Sequence, residues 1–594
     1  MKKHSLSALL VLASACLLMG CTDQSKYGAM RRRPLIAESS DFSVTTNLEE
    51  TKEIHTERQK EYLSYDGNYD TIPEANYPDG QKHLSDPEPV NLAWNYTPIS
   101  GKTLTRYDVK VGKEANLSDG YVIKGTSSTS LDIYNSYLGD NYFQIIANYD
   151  DGSKDESAIQ KYEVDNVYPR NLKIDGMTNC RDMGGGRVLE NGGTIKQGLL
   201  YRTSSTNNWA YGRGDVADKI TTNGKEVLLN QLGCKTEINV NNSDDHFSDI
   251  PNYVAAKMYY DNGKHHLYRN GEPLKEVFHT LSDINNYPIF YHCRIGTDRT
   301  GLCGIMISGL LGVPENLIYQ YYLFSNFGNI QEKRYIGEKA GRDNILNYIN
   351  DLKTYPGEKF QNKVYNYLLS IGVPASELNS VIDILTEGNK AEGNDNYQEV
   401  ILADEFAATG AEMQTVTSQA HPKKYYTLTK GASIKVEFDP KYTADAKLVA
   451  YLGSTKTGDD NTNHTLFKSL MVADSISATL DGYDVGIDEE MSFYDVGFGQ
   501  GDGRTYYSAV MLGDVQVIAG MTEVIITGKD GEPLNIGAIA LIPTSKVSVD
   551  APVIQPTENS SKGCGGSIVV TTSLIALVAL SGVSVLIFRK RKED

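Results

Sequence analysis

The stretch 292–301, HCRIGTDRTG, constrains the fold of this chain more than any other. Before it, residues 287–291 (YPIFY) read as a short buried strand, apolar or aromatic with Pro288 near its start. After it, the apolar run LCGIMISGLL reads as a helix. Strand, glycine-containing loop and helix in that order gather backbone N–H groups at a helix N-terminus, and such a nest binds phosphate. The same field favours a cysteine thiolate, here Cys293. Arg299 lies beyond a five-residue spacer and can grip two phosphate oxygens in a bidentate fork. The reaction this set suits is phosphate-monoester hydrolysis through a phosphocysteine. A lone cysteine before a helix is ordinarily a small core hydrophobe; the preceding His292, the spacing and the Arg299-Thr300-Gly301 sequence set this one apart.

The chain has 594 residues and so holds several folded units. Its formal net charge of −19 argues against a nucleic-acid partner. Both ends carry membrane signals. Residues 1–20, with Lys2 and Lys3 ahead of an apolar run, read as a signal peptide. The Leu-Met-Gly-Cys sequence ending at Cys21 resembles a bacterial lipobox, making Cys21 the expected lipidation site, with ordinary signal-peptidase cleavage as the alternative. Residues 568–588 are uncharged and long enough to span a bilayer, with a basic tail at 589–594 on the cytoplasmic side. The expected location is therefore the cell membrane, facing outward on a single-pass C-terminal anchor, and the segment resembles those of Gram-positive surface proteins. Cys180, Cys234, Cys293 and Cys303 show no paired spacing, so neither a disulfide framework nor a metal site is expected.

Composition divides the rest. Residues 21–85 read as a polar linker or arm. Residues 86–165 alternate in short strands around Trp94 and resemble a fibronectin type III β-sandwich. Residues 166–393 mix strand-like and helical stretches, which predicts an α/β unit. Residues 394–545 turn β-rich with Gly/Asp turns, a jelly roll resembling carbohydrate-binding modules, for which glycan binding and a structural role stand about even. A stalk follows at 546–567. The expected fold class is thus multidomain: an α/β cysteine-phosphatase fold between two β-sandwiches, plus one transmembrane helix.

Three motifs carry a family resemblance across about 166–390. Asn179-Cys180-Arg181-Asp182-Met183-Gly184-Gly185 looks like the Asn-Phe-Arg-Asp-Leu-Gly-Gly signature of a bacterial branch of tyrosine phosphatases. IKQGLLYRTSS, containing Arg202, matches the segment that follows it, and HCRIGTDRTG resembles His-Cys-x-x-Gly-Lys-Asp-Arg-Thr-Gly. The resemblance implies that Cys293 is the nucleophile, that Arg299 binds phosphate and that His292 orients the loop. It implies phosphate contacts from the backbone of Arg294, Ile295, Gly296, Thr297 and Asp298, and a Thr300 hydroxyl that stabilises the leaving thiolate. No cofactor or metal is implied. Asp298 is the first choice for general acid, with Asp249, Asp261 and Asp182 as runners-up. Arg181 and Arg202 are expected near the pocket or in structural ion pairs.

Two departures bear on substrate. Thr297 replaces the family's lysine, which tilts the expectation toward phosphotyrosine or another monoester and away from inositol phosphates. Cys180 replaces its phenylalanine, and two readings stand: a protective disulfide with Cys293, or a buried thiol filling space. Residues 207–219 look like an insertion whose Trp209, Tyr211 and Arg213 stand ready to cap the site. The leading reading is an exported, membrane-anchored protein-tyrosine (dual-specificity) phosphatase acting on a phosphorylated protein or small phosphomonoester. The alternatives are an inositol-phosphate phosphatase and a surface adhesin with glycan-binding modules.

Overall fold

Alternating burial builds the first sandwich. In the strand Val90–Asn95 the residues Val90, Leu92 and Trp94 are buried while Asn91 and Asn95 face water, the period-two pattern of a half-buried strand. It pairs with Ser130–Ile133 and faces a second sheet built around Leu104–Gly112 and Gly139–Tyr149. Trp94 meets Tyr107 edge-on at 5.3 Å between the two sheets. The structure is a computed structural model and describes residues 42–65, 85–206, 219–241, 246–258, 270–330, 333–336, 345–353, 355, 357–389, 399–415, 424–454, 469–489, 491–494 and 508–543.

The described part of the expected polar arm is docked. Ser43–Val44 adds a strand beside Trp94. The helix Glu57–Leu63 starts on a Thr56/Gln59 capping box and buries Tyr62, whose hydroxyl donates to the Gln320 carbonyl at 3.0 Å. Asn171 in turn donates to Gln59 at 3.2 Å. Ile54 and Tyr62 are buried with His55 and Gln59 and seat an otherwise charged segment.

The third assembly is a five-stranded sheet in the order Asn252–Ala255, Thr236–Asn239, Ile289–His292, Leu200–Thr203 and Arg181–Asp182, parallel except for the last. Ile289–His292 is central and buried on both faces, as a covered parallel strand must be. Ile289 and Tyr291 point into a core shared with the helices Asp298–Leu310 and Phe360–Ser370. Phe290 points the other way, into a smaller core with Cys180, Tyr201, Leu228 and Cys234.

Residues 399–543 form a second pair of sheets with its own inner core. The strand Leu534–Pro543 is buried on both faces: Ile536, Ile539 and Leu541 face inward, and Ala538, Ala540 and Ile542 join, with Val449 and Tyr451, the core that holds the helices Asp298–Leu310 and Phe360–Ser370. The Tyr451 hydroxyl reaches the Asn366 carbonyl at 3.5 Å.

These features correct the expected fold class. The described residues form seven sheets, and the sandwich 399–543 shares a core with the catalytic helices rather than standing apart, because a strand apolar on both faces needs cover on both. The membrane anchor and the outward-facing location drawn from it are corrected as well. Among the described residues no helix is long and apolar enough to cross a membrane. The longest of them, Asp298–Leu310 with 13 residues, rises about 20 Å, short of the roughly 30 Å hydrocarbon layer. The segment 568–588 expected to span a membrane, the expected leader 1–20, Cys21, residues 207–218 of the expected insertion, and Asp261 lie outside the described residues.

Candidate active site

Cys293 follows the last residue of the central strand, and the helix behind it begins at Asp298. The residue before that helix, Thr297, makes no side-chain cap to the first-turn N–H groups. Gly296 turns the loop at φ +69°, and a Cβ there would stand 2.6 Å from the Thr203 carbonyl oxygen. Glycine is therefore required twice over, by backbone conformation and by contact with the neighbouring strand.

The loop is braced from the Asn179 motif. Asn179 itself adopts φ +58° and donates through Nδ2 to the Gly296 carbonyl at 2.7 Å and to Thr297 Oγ1 at 3.3 Å. Arg202 Nη2 donates to the same carbonyl. With that oxygen held toward the motif, the planar peptide aims the Thr297 N–H the opposite way.

Cys293 is fully buried, and burial alone pushes a thiol up. The Arg299 guanidinium, then the Thr300 hydroxyl and N–H, more than offset this, and the Cys293 thiol sits below its ordinary value despite the opposing Asp298 charge. Burial pushes Cys180, Cys234 and Cys303 well up. One described cysteine is thus a thiolate candidate while the other three are inert fillers. Cys180 and Cys293 belong to different cores, and all four described cysteines are free.

The expected accessory residues lie beneath the loop rather than at its mouth. Arg181 is buried and donates to the Tyr321 carbonyl at 2.9 Å and to Ser325 at 3.0 Å. Burial, reinforced by the Arg202 charge, lowers the Arg181 guanidinium to about 10. Arg181, Arg202 and Arg187 stand 4.4, 4.8 and 5.0 Å from the Tyr321 ring centroid, stacked on its π-system. Asp182 pairs with Arg170 at 2.7 Å and accepts from Gly184 and Gly198, so it braces the glycine turn. Thr297 is buried toward Asn179; Ile295 and Gly301 are also buried, Gly301 against Tyr322, while Arg294 and Arg299 are half-buried.

Both carboxylate oxygens of Asp298 are engaged by Arg334, at 3.0 Å from Nε and 3.1 Å from Nη2. Such a fork fixes the orientation of the Asp298 carboxylate. Asp249 pairs with Lys225 at the surface.

Two site residues have no counterpart in the sequence reading. Arg334 is one. The other is Glu237, whose Oε1 lies 2.8 Å from His292 Nε2, both side chains being fully buried. A glutamate inside the otherwise uncharged strand Thr236–Asn239 was the available signal, since buried carboxylates require partners. Among the described residues no three of His, Cys, Asp or Glu converge as metal ligands would.

No curated protein matches the chain. Among solved structures, the Podospora anserina GH26-CBM35 β-(1,4)-mannanase is 16% identical over 25% of this chain and 28% of its own, with a TM-score of 0.18. A family 35 carbohydrate-binding module from Clostridium thermocellum is 14% identical over 25% of this chain and 98% of its own, TM-score 0.18. CBM35 from Cellvibrio japonicus Abf62 is 11% identical over 26% and 96%, TM-score 0.18. Scores of this size carry no argument about fold or ligand. The loop and its braces fall within residues 172–368, which match the tyrosine phosphatase family.

Proposed function

We propose that the chain hydrolyses phosphomonoesters, phosphotyrosine-type aryl esters among them, through a phosphocysteine at Cys293. The observation that carries this is the buried Cys293 thiol held below its ordinary value at an uncapped helix N-terminus. The thiolate attacks phosphorus as loop N–H groups and Arg299 take up the equatorial oxygens. The S–P bond forms, the P–O bond breaks, and the leaving oxygen takes a proton from solvent. Water then attacks phosphorus and gives a proton back to solvent, the S–P bond breaks, and the Thr300 hydroxyl donates a hydrogen bond to the departing thiolate. Asp298 serves this reading by clamping Arg334 beside the loop.

The same clamp favours a second reading. Arg334 restores near the loop a cation that Thr297 does not provide, and a second phosphate on an inositol-phosphate substrate suits it. The experiment compares phosphotyrosine peptide, phosphoserine peptide and inositol hexakisphosphate as substrates for the wild-type chain and for Cys293→Ser. Phosphate release by the wild type alone is expected. Equal release by the two proteins overturns the nucleophile assignment, and turnover confined to inositol hexakisphosphate selects the second reading.

A further inference from the structure

Glu237 lies in the strand beside the one that ends at His292, and it has no part in the mechanism above. Its Oε1 faces His292 Nε2 at 2.8 Å. Its Oε2 accepts the Phe247 N–H at 2.8 Å and lies 3.2 Å from His246 Nδ1. The other ring nitrogen of His292, Nδ1, lies 3.2 Å from the carbonyl oxygen of Cys293. The imidazole therefore stands between a carboxylate and a carbonyl. A neutral imidazole carries one N–H and one lone pair, and here its lone pair would oppose an acceptor. With both nitrogens protonated, each oxygen receives a donor. The resulting charge is fully buried and needs a counter-ion within contact, which Glu237 supplies.

We propose that Glu237 is a positioning residue for the Cys293 site: it holds His292 doubly protonated, so that Nδ1–H fixes the Cys293 carbonyl and the imidazolium places positive charge beside the thiolate. This rests on the phosphatase reading. The fixed carbonyl matters because Cys293 opens the loop, and a rotated first peptide would turn the nest away from phosphate. The groups facing the pair are His246, whose half-exposed ring packs on Tyr253 at 4.1 Å, the Phe290 ring stacked at 5.8 Å on His292, and Cys293 with the Arg299 and Asp298 charges beyond it. His246 approaches the far oxygen of Glu237 from the solvent side, where a protonated ring would reinforce the carboxylate charge.

A merely structural ion pair between strands would leave the cysteine's titration unmoved, and that separates the two roles. The full chain is alkylated with iodoacetamide at Cys293 across the acid and neutral range, for wild type, Glu237→Gln and Glu237→Asp. Glu237→Gln is expected to move the alkylation midpoint upward by about one pH unit and to lower kcat about tenfold, with Glu237→Asp recovering part of both. In parallel, 15N spectra of histidine-labelled wild type are expected to show both His292 nitrogens protonated at neutral pH. An unchanged midpoint in Glu237→Gln, or an unprotonated His292 nitrogen in the wild type, overturns the proposal. Should Glu237→Gln fail to fold, the wild-type spectrum decides alone. A wild type inactive on every phosphomonoester would refute the phosphatase reading, while the midpoints and the spectrum would still judge Glu237.

Discussion

Replacing Gly296 with alanine tests the loop geometry at its tightest point. The residue sits at φ +69°, where an L side chain costs roughly 1–2 kcal/mol. The new Cβ would meet the Thr203 carbonyl oxygen at 2.6 Å, its carbon at 2.9 Å and the Ser204 nitrogen at 3.0 Å, all of them backbone. Relief to ordinary contact at about 3.4 Å requires the loop to retreat from the strand Leu200–Thr203 by about 0.8 Å, beyond the roughly 0.5 Å tolerance of a preorganised site. It also strains the Asn179 and Arg202 bonds to the Gly296 carbonyl. Displacements of this order cost about a hundredfold in rate, or about 2.7 kcal/mol of transition-state stabilisation. The assay is kcat/KM on p-nitrophenyl phosphate beside thermal unfolding. A loss near a hundredfold is expected, with a melting temperature lowered by a few degrees. A variant within twofold of wild type would refute the view that this carbonyl and its braces shape the site.

Two further substitutions probe the surroundings. Asp298→Asn releases the clamp on Arg334, and the expected loss is the same factor for aryl phosphates with good and poor leaving groups; a loss confined to poor leaving groups would make Asp298 the proton donor after all. Tyr451→Ala removes a ring that packs at 6.1 Å from Tyr355 and closes the shared core. It should lower stability by about 3–5 kcal/mol in a single transition that includes loss of activity; separate transitions for the sandwich and the phosphatase region would refute the common core.

Much of the site was legible because it is local. Cys293, Gly296 and Arg299 fall within one loop, where sequence spacing alone carries the chemistry. The Asn179 motif was readable by resemblance, though not its task, since its contact with Gly296 spans 117 residues. Arg181 and Arg202 were expected near the pocket or in structural pairs; their strands set both against Tyr321, with Arg202 reaching the Gly296 carbonyl of the loop. Glu237 and Arg334 reach His292 and Asp298 across 55 and 36 residues, distances over which spacing has no meaning.

By itself the sequence determined the strand–loop–helix unit, the candidate nucleophile Cys293 and the candidate anion-binding Arg299, and the alternating strands of the two sandwiches. These follow from hydrophobic period and from residue chemistry within a few positions. The tertiary structure decided which side chains complete the site. Parallel pairing set Glu237 beside His292, chain return set Arg334 on Asp298, and two apolar strand faces drew the C-terminal sandwich onto the catalytic helices. Each depends on register and packing between segments distant in sequence, where burial and counter-charge, not neighbouring residues, select the partner.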